Sequence, residues 1–301
     1  MAGSNGFVGR NLIKIFFKKK YNVLCPDRRT LDLKNIKKLK NFLYRNKVTH
    51  IINCAGKVGG ILENSLNQID FYRENNELNY NLISSSLDLG IKNFINLGTS
   101  CMYPNNYLSK MSERDLMTGK LEPTNFGYAM SKLSASSYVK LINEKFGYNY
   151  SNIIPCNLYG PYDNFDGNKS HLIASIINKT SKAKKNSHNF IEIWGDGSPR
   201  REFLYIDDLV NFIFLSVSKN YHLPVFINIG YGKDYSVKQY YKKIMDMFNY
   251  KVKLVYNLKK PNGIKRKLLD ISLAKKLFDY EPKINLETGL RKTIKFYENT
   301  I

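Results

Sequence analysis

The chain has 301 residues, which is enough to bury a sizeable core and to form one large or two moderate domains. Its hydrophobic content of 43% is ordinary for a soluble protein, and it has neither an apolar run of about 18 residues nor a signal peptide, so we expect no membrane insertion or secretion. The net charge of +22 would suit nucleic-acid binding, but the lysines are dispersed along the whole chain, so we expect solvated lysines and no nucleic-acid or membrane partner.

The cysteines give no sign of a metal site. They are scattered, and their spacing is not that of metal ligands: Cys25, Cys54, Cys101 and Cys156. A reducing cytoplasm is the simplest setting for such thiols. We therefore expect a cytoplasmic protein without a metal.

The first predicted element is a glycine-rich turn that opens a helix. Gly3, Gly6 and Gly9 follow one another at three-residue intervals and run into an apolar helical pattern. The amide groups of such a turn can hold a pyrophosphate. The alternative is a flexible glycine-rich start in front of an amphipathic helix.

The strand that should precede this turn is absent. A turn of this kind normally follows the central strand of its sheet, yet only Met1 and Ala2 come before Gly3. Loss of a central strand leaves neighbouring backbone groups unpaired and destabilises the nucleotide-binding half. We therefore expect the true start to lie upstream, and stable activity of a protein beginning at Met1 would contradict this.

Strand-like segments alternate with helical stretches in the first half of the chain. This alternation predicts an α/β fold with a Rossmann-type, doubly wound parallel sheet. The strand-like segments are 21–25, 48–55, 94–97 and 152–158.

The residues directly after the strand-like segment 21–25 bear on the choice of dinucleotide. Arg28 there can bind the 2′-phosphate of NADP, whereas Asp27 can hold the free 2′-hydroxyl of NAD. Both residue types are present, so the pattern alone leaves the choice open. A third interpretation is that Arg28 and Arg29 simply face water.

A Tyr and a Lys four residues apart, Tyr128 and Lys132, follow an apolar stretch that ends at 97–101. Positions i and i+4 share a helix face, so the ammonium can lower the pKa of the phenol. That would make the tyrosine an acid useful near neutral pH. Such a pair also occurs by chance in many helices.

In this order, the glycine turn, the Thr99 segment and the Tyr/Lys pair resemble the extended short-chain dehydrogenase/reductase superfamily. The chain is most similar to its GDP-L-fucose synthase family, and the segments 57–60 and 170–171 are specific to that branch. The other matching segments follow the order of the family: 55–61, 97–104, 121–125, 157–161, 163–165, 194–195, 201–204, 207–208 and 266–270.

The resemblance implies a 4-reduction in which Tyr128 delivers a proton to the C4 oxygen while NADPH gives a hydride to C4. Lys132 would lower the tyrosine pKa and bind the nicotinamide ribose. Thr99 stands where the family usually has Ser, and its hydroxyl can make the same hydrogen bond. The alternative for Thr99 is a strand-end residue that bonds its own backbone.

The resemblance also implies epimerisation at C3 and C5. A C4 ketone acidifies the hydrogens on both carbons, and the family places Cys101 and His171 as base and acid on opposite sides of the ring. Thiol and imidazole titrate nearest to neutral pH among the side chains. Taken alone, Cys101 would be a small buried hydrophobe and His171 a surface residue.

The remaining site residues are implied by the same resemblance. Asn157 lies near the nicotinamide, and Arg28 matches an NADP-binding Arg, although Ser4-Asn5 replaces a basic residue of the family's glycine turn. Four residues hold the nucleotide sugar, although each alone could be a surface residue: Lys179 and Arg201 at the diphosphate, Trp194 at the guanine, and Lys267 at the ribose or sugar. Lys179 replaces an Arg, which keeps the charge but loses bidentate geometry.

The resemblance thus implies NADPH-dependent 3,5-epimerisation and 4-reduction of GDP-4-keto-6-deoxy-D-mannose to GDP-L-fucose by a homodimer. We expect 1–160 to form the NADP-binding Rossmann domain, with 203–230 returning to it, and 161–301 to form a smaller substrate-binding domain. One alternative is a related enzyme for another nucleotide-linked 4-keto sugar, such as a heptose. Another is a non-catalytic dinucleotide-fold protein that binds nucleic acid.

Overall fold

A computed structural model describes residues 1–106, 109–166, 170–260 and 262–300. In these ranges no helix is both long and apolar enough to cross a bilayer. The described elements are α1 (Phe7–Lys18), α2 (Ile36–Arg45), β1 (His50–Asn53), α3 (Ile61–Leu66), α4 (Gln68–Asp88), β2 (Asn93–Leu97), α5 (Phe126–Phe146), β3 (Asn149–Pro155), β4 (Asn157–Tyr159), α6 (Leu172–Lys185), β5 (Phe190–Trp194), β6 (Arg200–Tyr205), α7 (Ile206–Ser218), β7 (Phe226–Ile229), β8 (Asp234–Ser236), α8 (Val237–Met247), β9 (Lys253–Asn257), β10 (Arg266–Lys267), α9 (Ser272–Phe278) and α10 (Leu286–Thr300).

The central sheet has the strand order β1-β2-β3-β7, and all its strands are parallel. Successive side chains of a strand point to opposite faces. Ile51 and Phe94 pack on one face with core residues of α4 and α5, whereas Ile52, Leu97 and Ile153 pack on the other with α1 and α7. Helices therefore cover both faces, and the predicted doubly wound parallel sheet is confirmed.

The predicted strand 21–25 is wrong, because this segment forms neither a helix nor a strand and is not part of a sheet. Its recorded contact toward the sheet is the Met1 ammonium, which donates to the Leu24 carbonyl at 2.8 Å. Ala2 in turn bridges to Asn53 of β1. Met1 and Ala2 thus bridge the segment and β1, and among the described residues no strand pairs with 21–25.

The predicted strand 152–158 is two strands that belong to different sheets. β3 stays in the central sheet, and its last ladder contact comes from Cys156, whose N–H donates to the Ile229 carbonyl at 3.0 Å. β4 begins one residue later and pairs with β6 in a second sheet of order β10-β6-β4. The switch brings Asn157 to the carboxyl edge of the central sheet.

The later strands complete the first two sheets and form a third. β8 pairs antiparallel with β6, and β5 and β9 form a separate parallel pair. β7 pairs with β3, so the chain returns to the central sheet after the second sheet has begun. The division into a nucleotide domain and a substrate domain stays a prediction.

A ladder of buried asparagines crosses the central sheet. Asn53, Asn96 and Asn152 are register partners on β1, β2 and β3. Asn53 Nδ2 donates to Asn96 Oδ1 at 3.0 Å and to Asn79 Oδ1 of α4 at 2.7 Å, and Asn96 Nδ2 donates to Asn152 Oδ1 at 2.9 Å. A one-residue slip of any strand would break these bonds, so the ladder specifies the register.

Candidate functional site

The glycine turn leaves a cradle of backbone beside β1. Gly3 has φ +73°, and a Cβ there would lie 2.5 Å from the Ala55 nitrogen. A Cβ on Gly9 would overlap the Gly3 carbonyl oxygen. Gly6 caps α1, whose first turn has no acidic residue and no side-chain cap. The amide groups at this helix start therefore suit a pyrophosphate, and the residues fit the dinucleotide that the sequence predicts.

The two candidate ribose residues differ in their surroundings. The Asp27 carboxylate accepts hydrogen bonds from the backbone of Thr30 at 2.8 Å and of Arg29 at 2.9 Å. Its pKa is lowered, first by the Thr30 backbone bond. Arg28 is exposed. Asp27 is thus engaged in its own turn, whereas the Arg28 guanidinium is accessible to an anion.

α5 carries Tyr128 and Lys132 on one face, as the spacing predicts. Lys132 is 4% exposed, and its Nζ donates to the Leu97 carbonyl at 2.9 Å. Burial lowers the pKa of Lys132 to about 8. Burial raises the pKa of Tyr128, nearby Cys101 adds to the rise, and a side-chain hydrogen bond with Thr99 opposes it. The Tyr128 pKa is therefore raised, not lowered as expected, because desolvation of the phenol is the largest effect on it.

Thr99 links the end of β2 to the candidate acid. Its Oγ1 accepts from the Cys101 backbone N–H at 3.3 Å, where a short 3₁₀ helix begins. Its side chain also lies beside the Tyr128 phenol and lowers the pKa of that group. The backbone bond expected of a strand-end residue and the contact expected of a site residue are thus both present.

Cys101 receives two side-chain donors. Asn125 Nδ2 lies 3.4 Å from its sulfur and Lys267 Nζ lies 3.3 Å from it. The pKa of His171, at the start of α6, is lowered by burial and then by the charge of Lys267. Lys267 therefore contacts the Cys101 sulfur and acts electrostatically on His171, so the structure brings Cys101, His171 and Lys267 together.

Arg201 lies next to this group on β6, in register with Lys267 of β10. Its guanidinium donates to the Ile264 carbonyl at 2.6 Å. Burial lowers the pKa of Arg201, and the nearby Glu122 and Cys101 oppose this effect. Two cationic side chains on neighbouring strands thus flank the Cys101 sulfur.

Asn157 opens β4 and is held to the neighbouring strand. Its Nδ2 donates to the Glu202 carbonyl at 3.0 Å. Its own backbone pairs with Phe203 of β6. Asn157 therefore lies at the junction of the two sheets, next to the carboxyl end of β3.

Lys179 and Trp194 form a further group. Lys179 Nζ lies 5.8 Å from the indole centroid and donates to the Glu192 carbonyl at 3.3 Å. Lys260, which sequence analysis missed, places its Nζ 5.2 Å from the same ring. Trp194 is 36% exposed. Two ammonium groups beside an accessible aromatic face suit an anionic ligand with a planar base.

Two asparagines that support the site were not assigned a role from the sequence. Asn125 contacts the Cys101 sulfur. Asn75 of α4 is buried, accepts from the Lys57 N–H at 2.7 Å and donates to the Lys57 carbonyl at 3.1 Å. These bonds fix the loop after β1 close to Lys132, since a Cβ on Gly56 would lie 3.7 Å from Lys132 Nζ. For Asn75, the sequence signal that could have indicated this role is a polar residue on the buried face of a helix.

The candidate residues after β1, β2 and β3 meet at the carboxyl edge of the parallel sheet, where doubly wound folds bind their ligands. The glycine cradle and the Tyr/Lys pair on α5 define a dinucleotide-binding α/β protein with a candidate proton donor.

Comparison with known proteins identifies the family. The chain belongs to the NAD dependent epimerase/dehydratase family, whose family model matches residues 1–230. It is 40% identical over 300 residues to a GDP-L-colitose synthase of Yersinia pseudotuberculosis, covering 99% of this chain and 97% of that protein. It is 35% identical over 297 residues to a GDP-L-fucose synthase of Azorhizobium caulinodans, with coverage of 99% and 95%. A solved GDP-mannoheptose C4 reductase of Campylobacter jejuni with NADP bound has a TM-score of 0.87 at 26% identity, with coverage of 99% and 96%.

Proposed function

We propose that this protein converts GDP-4-keto-6-deoxy-D-mannose to GDP-L-fucose by 3,5-epimerisation and NADPH-dependent 4-reduction. The observation that carries the proposal is the grouping of Cys101 and His171 around Lys267, with Tyr128 and Thr99 close by. A reductase alone needs the tyrosine, whereas inversion of two carbons needs a further base and acid. The GDP-L-fucose synthase relative supports the same activity.

The cofactor is NADPH, which supplies the hydride for C4 when bound. Gly3, Gly6 and Gly9 bind its pyrophosphate through the start of α1, and Arg28 binds the 2′-phosphate. Lys132 binds the nicotinamide ribose. The NADP-bound reductase of similar fold supports this choice.

The reduction requires Tyr128 as the proton donor. Its raised pKa keeps the phenol protonated at neutral pH, so it can donate to the C4 oxygen as negative charge develops there. The Thr99 hydroxyl bonds the same oxygen and orients it. The half-buried site excludes part of the water, which strengthens both bonds.

The epimerisations use the acidity of C3 and C5 next to the ketone. Cys101 removes the proton from one face, so that the C–H bonding pair moves into an enolate and the sulfur becomes a neutral thiol. The imidazolium form of His171, which its lowered pKa makes a stronger acid, then delivers a proton to the opposite face, and the carbonyl re-forms with the configuration inverted. Tyr128 and Thr99 hold the enolate oxygen during both steps.

The nucleotide sugar is held from the second sheet. Lys179 and Arg201 pair with the diphosphate, Trp194 stacks on the guanine, and Lys267 reaches the ribose or sugar. Asn157 forms the wall beside the nicotinamide. The exposed indole with its two neighbouring ammonium groups supports the guanine and diphosphate assignments.

A second candidate is GDP-L-colitose synthesis, favoured by the 40% identical relative of that name. L-Colitose is L-fucose without the hydroxyl group at C3, so its 4-keto precursor has a stereocentre to invert at C5 but none at C3. The same Cys101, His171 and Tyr128 chemistry would serve both sugars. Contacts with the C3 hydroxyl decide between them.

The test is to supply purified protein with NADPH and either GDP-4-keto-6-deoxymannose or its 3-deoxy analogue, to follow nicotinamide absorbance, and to identify the product sugar. GDP-L-fucose formed at the higher kcat/KM supports the proposal. A preference for the 3-deoxy analogue assigns the second candidate. A product reduced at C4 without inversion removes Cys101 and His171 from the mechanism, and absence of turnover with both sugars contradicts the proposal.

We also propose that the protein is a cytoplasmic homodimer that pairs through α4 and α5. Apolar side chains on these helices are exposed, including Ile69 at 80% and Leu141 at 61%. Tyr80 and Tyr138 stack across the two helices with ring centroids 5.8 Å apart. Light scattering after size exclusion should give twice the 34.9 kDa chain mass, and Ile69→Lys should yield the monomer.

A further inference from the structure

Lys267 is a buried lysine on a firmly held strand. Its side chain is 8% exposed. Pairing with Arg201 of β6 fixes its backbone, and Arg266 beside it forms an ion pair with Asp234 at 2.5 Å. A buried ammonium is costly unless an anion or several acceptors face it. The strand β10 therefore holds the Lys267 ammonium in a buried position, where the charge needs a partner.

The described partner of that charge is a sulfur atom. Lys267 Nζ donates to Cys101 Sγ at 3.3 Å, and in the described ranges no carboxylate forms a salt bridge with it. Asn125 Nδ2 donates to the same sulfur at 3.4 Å. A thiolate accepts two such donors far better than a thiol does, and a neighbouring lysine is a known means of stabilising a thiolate.

The other ionisable groups around Cys101 come from several elements. Arg201 on β6 adds a second cation, and Glu122 in turn faces Arg201. Tyr128 on α5 is held protonated by burial and is thus neutral. His171 at the start of α6 is held toward its neutral form by burial and by Lys267. The surroundings of the sulfur are therefore electropositive.

We propose that Lys267 is a positioning residue whose ammonium holds the Cys101 sulfur as a thiolate, ready to act as a base, while Tyr128 keeps its proton. The use of this base on the sugar rests on the proposed function. The thiolate itself belongs to the protein without substrate. The arrangement sets two neighbouring acids to opposite protonation states, as one site needs for a base and a proton donor.

The test measures Cys101 alkylation by iodoacetamide from pH 5 to 10 in the free protein, with the Cys101 peptide quantified by mass spectrometry. The thiolate sulfur displaces iodide, so a thioether forms and iodide leaves, and the rate follows the thiolate fraction. In the wild type we expect the midpoint of the rate profile well below the value of about 8.5 for an ordinary thiol. Cys25 in the same samples is the internal reference.

Lys267→Met removes the charge, and we expect the midpoint to rise by about one pH unit or more, with roughly tenfold slower alkylation at pH 7. Lys267→Arg keeps the charge and should restore much of the reactivity. Lys265→Met is the matched control, because Lys265 is exposed and two residues away. An unchanged midpoint in Lys267→Met, or an equal change in Lys265→Met, overturns the proposal.

A second measurement follows from the same charge. Because Lys267 lowers the His171 pKa, Lys267→Met should raise the midpoint of the His171 imidazole proton signals in NMR as well. A purely structural role of Lys267 would not move both profiles upward. If Lys267→Met does not fold, the wild-type profile decides, since a Cys101 midpoint at or above about 8.5 contradicts the proposal. These readouts need no sugar, so they stand or fall independently of the product assay.

Discussion

At the scale of single residues, the proposed proton donor and the proposed base differ in their local surroundings. Burial raises the pKa of Tyr128, so the phenol holds its proton. Cys101 lies beside two cationic side chains and an amide donor. These two neighbouring side chains thus have different surroundings, and the proposed roles follow from what each one touches.

Tyr128→Phe should remove the proton donor while leaving the apolar packing of the ring against Phe71. We expect NADPH oxidation with the 4-keto sugar to fall by about a hundredfold or more, the usual contribution of general acid catalysis. Tyr138→Phe, on the same helix, is the control and should keep the wild-type rate. Equal losses in both variants would show that the helix, and not the phenol, had been affected.

Cys101→Ser should abolish inversion but spare the cofactor site. The serine hydroxyl is a far weaker acid than the thiol, so it is not ionised beside Lys267. Reactions run in heavy water should place little deuterium at C3 and C5 of the product, while fluorescence titration should give an unchanged NADPH affinity. Cys25→Ser serves as the comparison, and wild-type deuterium incorporation by Cys101→Ser would remove this residue from the mechanism.

The sequence predicts which site residues lie together on one helix or strand, but not which residues of different elements meet. The i, i+4 spacing of Tyr128 and Lys132 placed both on one helix face. The Leu97 carbonyl that receives the ammonium, and the desolvation that raises the Tyr128 pKa, depend on packing between α5 and β2. Asn125 and Lys267 meet at one sulfur from segments 142 positions apart, and no local pattern records such a meeting.

At the scale of elements, the asparagine ladder replaces apolar contacts in the centre of the sheet. Asn96 donates to Asn152 and accepts from Asn53, and all three are almost fully buried. Removal of the Asn96 amide leaves the buried Asn152 Oδ1 and one N–H of Asn53 without these partners, although Asn53 Nδ2 keeps its bond to Asn79. The ladder is therefore a specific fastening of β2 between β1 and β3.

Asn96→Ala should lower the free energy of unfolding by about 2–4 kcal/mol, since buried donors and acceptors lose their partners. Asn93→Ala on the same strand is the control, because its half-buried side chain accepts a single longer bond from Asn149 at 3.3 Å. Urea unfolding of both variants measures the difference. If the two variants have equal free energies of unfolding, the asparagine ladder does not stabilise the sheet as proposed.

The sequence predicts strands that pair along their whole length within one sheet. It does not predict where pairing is absent or where it changes from one sheet to another. The strands at 48–55 and 94–97 are present as β1 and β2 with shifted ends. The segment 21–25 has the residue pattern of a strand but lacks a neighbour that could complete its ladder. The segment 152–158 divides because Cys156 ends pairing with β7 and Asn157 begins pairing with β6, a choice made by distant strands.

At the scale of the whole molecule, charge and fold are largely independent. The net charge of +22 is spread along the chain and leaves the parallel sheet and its carboxyl-edge site intact. A positive field of this kind attracts a dinucleotide and a nucleoside diphosphate sugar. The absence of a nucleic-acid partner stays a prediction, and a steep salt dependence of RNA or DNA affinity without turnover would contradict it.

Lys132 should make a contribution to stability that grows as pH rises through the range set by its pKa. Its pKa in the folded protein is about 8, against an ordinary value of 10.5, so between these pH values the unfolded chain binds more protons. The free energy of unfolding therefore increases as pH rises, by up to about 3 kcal/mol from this group. Wild type and Lys132→Met are compared by urea unfolding at pH 8 and 9.5. On going from pH 8 to pH 9.5, the free energy of unfolding should change less favourably in the variant than in the wild type. An equal change in both proteins would refute the assignment.

The change of sheet at Cys156 also limits how the protein can move. A hinge needs residues whose backbone angles are free to change, yet the residues on both sides of this switch are tied into ladders, to Ile229 before it and to Phe203 after it. Swinging one sheet away from the other would break paired strands. Substrate entry and product release therefore belong to loops and side chains at the rim, and the reacting groups keep a fixed frame throughout the catalytic cycle.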